Sequence, residues 1–189
     1  YRVVAGKALP PEMLELNVAD VEAGAANLIK QIDNIRAHGV TPVVAINVFA
    51  GDHQEEIDAI KRIAVEAGAL GAAEARHFAE GGEGAVELAE MVVDAAEQEN
   101  GFHFLYDLDQ PIKAKIETIA QKIYGADGVS YEPLAEKQIK SYEASGFGSL
   151  PICMAKTHLS LSHDPTRRGA PTGFTLPVRE VRASVGAGF

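Results

Sequence analysis

Pro42-Val43-Val44-Ala45-Ile46-Asn47-Val48-Phe49-Ala50-Gly51-Asp52 decides the fold. Pro42 to Ile46 is a short continuous apolar run, the mark of a strand buried on both faces in a parallel sheet flanked by helices. Upstream, Val18, Val21, Ala25, Leu28, Ile32 and Ile35 step by threes and fours, which predicts one long amphipathic helix ending near His38-Gly39. Downstream, Asp52 followed three residues later by Glu55 resembles a capping box. The helix it opens carries Ile57, Ile60 and Ala64 on one face.

The alternation continues to the end of the chain. Gly68 and Gly71 precede a weak strand leading to His77 and Phe78, and Gly81-Gly82-Glu83-Gly84 opens a helix carrying Val86, Leu88, Ala89, Val92 and Val93. Phe102–Tyr106 reads as a strand, Ile112–Ile123 as a helix started by Pro111, Val129–Tyr131 as a short strand and Leu134–Tyr142 as a helix. Leu150–Ala155 and the alternating Phe174–Arg182 read as further strands. Thr157 to Thr172 lacks any period and reads as a long loop, a length that often carries function. The rhythm predicts an α/β fold: layered helices around a mainly parallel sheet, with a more irregular or antiparallel strand region at the C-terminal end.

Composition narrows the function classes. Of 189 residues, 47% are apolar and 23% charged, so a core can form and disorder is excluded for most of the length. Seventeen basic against 27 acidic residues give a net charge of −10, which argues against a nucleic-acid partner. No apolar run approaches the roughly 18 residues of a membrane span. The lone Cys153 cannot form an internal disulfide, and a cytoplasmic location is expected. Tyr1-Arg2-Val3-Val4-Ala5 reads as a strand entered without a lead-in, and Val185-Gly186-Ala187-Gly188-Phe189 as an interrupted apolar segment. Both suggest a piece of a longer polypeptide.

Ligands of open α/β sheets bind beyond the carboxyl ends of the strands. Asn47, Phe49 and Asp52 sit at such an end: an amide with donor and acceptor, a flat stacking surface, and a carboxylate that caps a helix or meets a ligand. Phe78 precedes Gly81 and Gly82, whose amides stand where a strand-to-helix turn can meet an anion, although the motif is neither a dinucleotide fingerprint nor a P-loop. Lys156 and Thr157 end the expected strand around Cys153 and are placed for anionic groups, whereas Cys153 itself reads as a buried thiol. His158, His163 and Asp164 approach metal-ligand spacing, but a loop trio of this kind is more often chance, and no metal is assigned. Ser160 and Ser162 lack a nucleophile elbow.

Several segments together resemble the formate–tetrahydrofolate ligase family. They include Asn27-Leu28 and Gln31-Ile32-Asp33-Asn34-Ile35-Arg36, Val43-Val44-Ala45-Ile46-Asn47-Val48-Phe49, Ala79-Glu80-Gly81-Gly82-Glu83-Gly84-Ala85 and Ile123-Tyr124-Gly125-Ala126-Asp127-Gly128-Val129. Pro151-Ile152-Cys153-Met154-Ala155-Lys156-Thr157, His158 to Pro165, Gly169 to Phe174 and Arg179 to Phe189 extend the match collinearly. The resemblance implies an ATP- and magnesium-dependent ligase that joins formate to tetrahydrofolate through formyl phosphate. This chain would be its C-terminal portion, without the P-loop part that carries the phosphate-binding lysine. No catalytic residue is then expected here, and the 189-residue chain alone should be inactive.

The resemblance also implies roles for particular residues. An aromatic in the family's Ala-Ile-Asn-x-Phe motif, matched by Phe49, and a tryptophan before Ala-x-Gly-Gly, matched by Phe78, flank the flat ring of the ligand. Asn47 and Asp52 keep the polar positions, while phenylalanine for tryptophan retains a stacking face and loses the indole N–H. Residues 1–145 are expected to form the folate- and nucleotide-base-binding region and 146–189 a strand-and-loop region. Partners would be small-molecule substrates and, in the complete enzyme, further copies of itself. A non-catalytic folate- or protein-binding domain derived from the same family is the alternative.

Overall fold

The structure, a computed structural model, describes residues 6–99, 101–157 and 160–189. The strand expected at Tyr1–Ala5, and His158 of the His158, His163 and Asp164 trio, lie outside these. Contacts gather the chain into two compact units, Tyr1–Phe102 and His103–Phe189. Both are α/β, each built on a pair of parallel strands.

In the first unit, β1 (Val43–Asn47) pairs in parallel with β2 (Gly71–Ala75), and α3 (Gln54–Glu66) connects them. The register sets Ile46 beside Glu74 and Asn47 beside Ala75. The core of the unit is Ile32, Ile46, Val48, Ile57, Ala64, Ala69 and Ala72, drawn from α2 (Ala26–Arg36), both strands and α3. Burial of β1 is less complete than its apolar run predicts, because Ala45 and Asn47 are exposed and only Ile46 within the strand is fully covered.

The expected long helix is two. α1 (Val18–Gly24) is capped by the Asn17 side chain, which accepts from Asp20 N at 3.1 Å, and Ala25 separates it from α2. There the chain takes a tighter three-residue step, Ala25 N donating to Glu22 O at 3.3 Å. Gly24 is a poor helix former, so the break falls where propagation is weakest. Of the predicted apolar face, Ala25 and Ile32 are buried, Val18, Val21 and Leu28 half-buried, and Ile35 exposed.

Helix α3 begins one residue later than the capping box predicts. Its N-cap is His53, without a side-chain cap. Asp52 Oδ2 instead accepts from Phe49 N at 2.8 Å, and Asp52 N donates to Phe49 O at 3.1 Å, closing a tight turn. Glu55 and Glu56 remain in the first turn, where negative charge suits the helix dipole. After β2 come the four-residue α4 (His77–Glu80), a 3-10 turn over Gly81–Ala85, and α5 (Val86–Glu97).

In the second unit, β3 (Gly128–Tyr131) pairs in parallel with β4 (Thr175–Val178), beside α6 (Ile112–Lys122) and α7 (Pro133–Ala144). Ile112, Ile116 and Ile139 form one core cluster, and Ala120, Ala126, Phe174 and Leu176 another. The C-terminal region is irregular as expected, yet its strand runs parallel rather than antiparallel. Because β4 pairs with β3, residues 146–189 fold with 103–145. The compact units therefore divide at 102/103, whereas the sequence reading draws its functional boundary at 145/146.

Two expected strands, 102–106 and 150–155, have no ladder. In the second of them, Leu150 O and Ile152 N bond to side chains instead. The ammonium of Lys115, fully buried at 0% exposure on α6, donates to Leu108 O at 3.1 Å, Gly148 O at 2.5 Å and Leu150 O at 2.7 Å. Ile152 N donates to the Tyr106 hydroxyl at 2.9 Å. With 150–155 outside a sheet, Cys153 is exposed, not the buried thiol expected. Near the C-terminus Val185 and Phe189 are exposed, while Ser184 N donates to Phe189 O at 2.7 Å.

Candidate functional site

Parallel pairing places the ends of β1 and β2 at one edge of the sheet. Val48 N still donates to Ala75 O at 3.2 Å, after which the two segments diverge. Phe49 lies two residues beyond the β1 partner Asn47, and Phe78 three beyond the β2 partner Ala75. The two rings meet there, centroids 6.4 Å apart and planes inclined by 51°. Phe49 is 59% exposed and Phe78 85%. Two phenylalanines held toward water, on neighbouring loops of a parallel sheet, form an apolar surface that neither core uses.

Asn47 is exposed at the end of β1, and Asp52 is exposed in the turn that orients Phe49. Asn47 therefore ends β1, Phe49 and Asp52 lie on the segment after it, and Phe78, Gly81 and Gly82 on the segment after β2. Gly81 takes φ +64 and its N–H donates to His77 O, ending α4, so that amide already has a protein acceptor. The glycine with a strict steric role is Gly84. A Cβ there would lie 2.6 Å from the carbonyl carbon of Arg76 and 2.7 Å from its oxygen. Lys156 and Thr157 belong to the second unit, where the Lys156 ammonium donates to Thr157 O at 2.5 Å and stands 6.0 Å from the Tyr124 ring centre.

One residue before the end of β2, Glu74 gathers a charge cluster that the sequence reading passes over. Glu74 of β2 accepts from Lys61 Nζ at 2.8 Å, Gln54 Nε2 at 3.2 Å, Arg76 Nε at 3.0 Å and Arg76 Nη2 at 2.5 Å. Hydrogen bonds from Lys61, then Arg76 and Gln54, outweigh partial burial and hold its carboxyl down at about 2, so it is ionised at any physiological pH. The same contact raises the Lys61 ammonium. A lone glutamate inside Gly71-Ala72-Ala73-Glu74-Ala75 was the available signal. Among the described residues, no three His, Cys, Asp or Glu side chains gather in a group able to hold a metal ion. No helix among them is long and apolar enough to cross a membrane.

Comparison with known proteins identifies the family of the chain. Residues 3–189 match a family model described as formate–tetrahydrofolate ligase. The chain is 64% identical over its whole length to the formate–tetrahydrofolate ligase of Saccharopolyspora erythraea, covering 33% of that protein. It is 53% identical over its whole length to that of Herpetosiphon aurantiacus, again covering 33%. Over 187 residues it is 51% identical to the mitochondrial C-1-tetrahydrofolate synthase of Saccharomyces cerevisiae, covering 99% of this chain and 19% of that protein. The chain thus spans about a third of the length of the curated ligases that it matches.

Proposed function

The chain belongs to the formate–tetrahydrofolate ligase family, and on that premise we propose that it supplies the folate-stacking part of an ATP-dependent ligase acting in one-carbon metabolism. The observation that carries this reading is the exposed Phe49–Phe78 pair at the carboxyl edge of β1 and β2. A pterin is a flat, polar-edged ring whose faces are best covered by aromatic side chains. Sandwiching it needs two planes roughly 7 Å apart, twice a stacking distance of about 3.5 Å. The centroid separation of 6.4 Å is near that, and the 51° inclination is removed by rotating one ring. Phe78, the more exposed of the two, is the ring that turns.

Asp52 holds the backbone of the Phe49 turn, and Asn47 offers an amide to the ring edge. Lys156, Thr157 and Gly82 are assigned to anionic groups of the substrates, whereas the N–H of Gly81, expected to join them, donates to His77 O. In the proposed reaction ATP phosphorylates formate, a folate nitrogen attacks the formyl carbon, a C–N bond forms and phosphate leaves. Phosphoryl transfer depends on positioning and on charge neutralisation by basic side chains and magnesium. Those groups are assigned to polypeptide outside these 189 residues. The whole ligase is taken to be a cytoplasmic homo-oligomer.

The test is an assay with magnesium-ATP, formate and tetrahydrofolate. The 189-residue chain alone, shown folded by circular dichroism, is expected to yield no formyltetrahydrofolate above a blank. The whole ligase polypeptide should turn over. Turnover by the isolated chain would place the phosphate-handling groups inside it and refute the assignment.

A further inference from the structure

Phe78 stands 85% exposed on a helix of four residues. Neither its own packing nor helical cooperativity can fix its direction, since one turn is far below the length at which helices hold themselves. Its position must be set by what anchors the chain on either side. That anchor is Arg76, the N-cap of α4, and it is held twice. Its guanidinium forks onto Glu74 Oε2 through Nε and Nη2, at 3.0 and 2.5 Å. Its backbone N–H donates to Gly84 O at 2.8 Å, at a crossing so close that a Cβ on Gly84 would strike Arg76 backbone.

The other oxygen of Glu74 accepts from Lys61 and Gln54 of α3, the helix that follows the Phe49 turn. One carboxylate therefore ties the segment after β1 to the segment after β2. Ionic hydrogen bonds are the stronger kind, and a two-pronged guanidinium contact fixes direction as well as distance.

We propose that Glu74 and Arg76 are positioning residues for the aromatic pair, their ion pair setting where the Phe78 ring stands relative to Phe49. That this geometry serves folate rests on the preceding reading; that the ion pair sets the geometry does not.

The test uses Arg76→Met, Arg76→Lys, Glu74→Gln and the Arg76→Met/Glu74→Gln double variant in the whole ligase polypeptide. Amide hydrogen exchange across residues 76–85 is measured beside KM for tetrahydrofolate and for formate, kcat and Tm. Arg76→Met should speed exchange in that segment about tenfold and raise KM for tetrahydrofolate roughly 3- to 10-fold, a coupling typical of contacting residues. kcat and KM for formate should stay within about twofold, and Arg76→Lys should recover part of the loss. The double variant should be no worse than the more affected single one, because both remove the same ion pair.

Unchanged exchange and unchanged KM for tetrahydrofolate in Arg76→Met would overturn the proposal. So would a general loss of Tm with every kinetic constant shifted alike. Faster exchange with KM for tetrahydrofolate unmoved, both in Arg76→Met and in Phe49→Ala, would uphold the positioning role and refute the folate reading instead.

Discussion

Replacing Phe49 by alanine in the whole ligase should raise KM for tetrahydrofolate while leaving KM for formate and ATP, and the fold, nearly unchanged. A stacked aromatic contact contributes about 0.5–1.5 kcal/mol beyond the area it buries, which is roughly a two- to twelvefold change in affinity. Losing the buried area adds to this, so the upper part of that range is expected. The fold should hold because Phe49 is 59% exposed and lies outside the core of Ile32, Ile46, Val48 and Ile57. The turn should hold as well, since Asp52 binds the Phe49 backbone rather than its ring. Phe49→Tyr, which keeps the face, should recover most of the affinity. Steady-state kinetics with each substrate varied in turn checks this. A rise in all three KM values would mean a disturbed fold instead of a lost stacking face.

The largest stability effect should come from Lys115. Lys115→Met keeps a four-atom apolar stem and removes the ammonium with its three hydrogen bonds, to Leu108 O, Gly148 O and Leu150 O. Each buried carbonyl left without a donor costs on the order of 1–3 kcal/mol. Allowing for some access of water, the total is about 3–5 kcal/mol, a large part of the roughly 5–15 kcal/mol that holds a domain together. Urea unfolding of the 189-residue chain followed by tyrosine fluorescence is a suitable measurement. The chain has no tryptophan, and Tyr106, Tyr124, Tyr131 and Tyr142 all lie in the second unit.

Burial pushes the Lys115 ammonium below its ordinary value of 10.5, against the pull of Glu143 and Asp109. Between that lowered folded value and 10.5 the unfolded chain binds more protons than the folded one, so this group adds stability as pH rises. The gap between wild type and Lys115→Met should therefore widen, not close, across that window. A Lys115→Met chain with an unchanged urea midpoint would contradict the role given to this side chain.

The strand that opens the argument, Val43–Asn47, was legible because a short apolar run followed by a helical period has few other readings. The same holds for α6, where Ile112, Ile116 and Ile119 are buried along one periodic face. What the sequence could not show was how polar groups are satisfied. Asp52 looked like a cap and is a turn-former, because the chain bends at Phe49 before α3 begins. Residues 150–155 have strand-like composition but are tied by Lys115 and Tyr106, whose reach across 35 and 46 residues leaves no local pattern.

Both missed groups did leave a trace. Lys115 occupies a position on the face of Ile112, Ile116 and Ile119, and Glu74 interrupts a strand of alanines. A charged residue at an apolar phase signals a buried polar cluster, although not which partners it will find. Resemblance and strand-end position both pair Phe49 with Phe78. Their meeting at 6.4 Å follows from the β1–β2 register, which local sequence does not encode.

The structure of the whole ligase with tetrahydrofolate bound tests the central claim most directly. The account predicts the pterin ring between Phe49 and Phe78, with the phenylalanine planes brought near parallel about 7 Å apart by rotation of Phe78. A pterin bound elsewhere, with the two rings still in contact with each other, would contradict it.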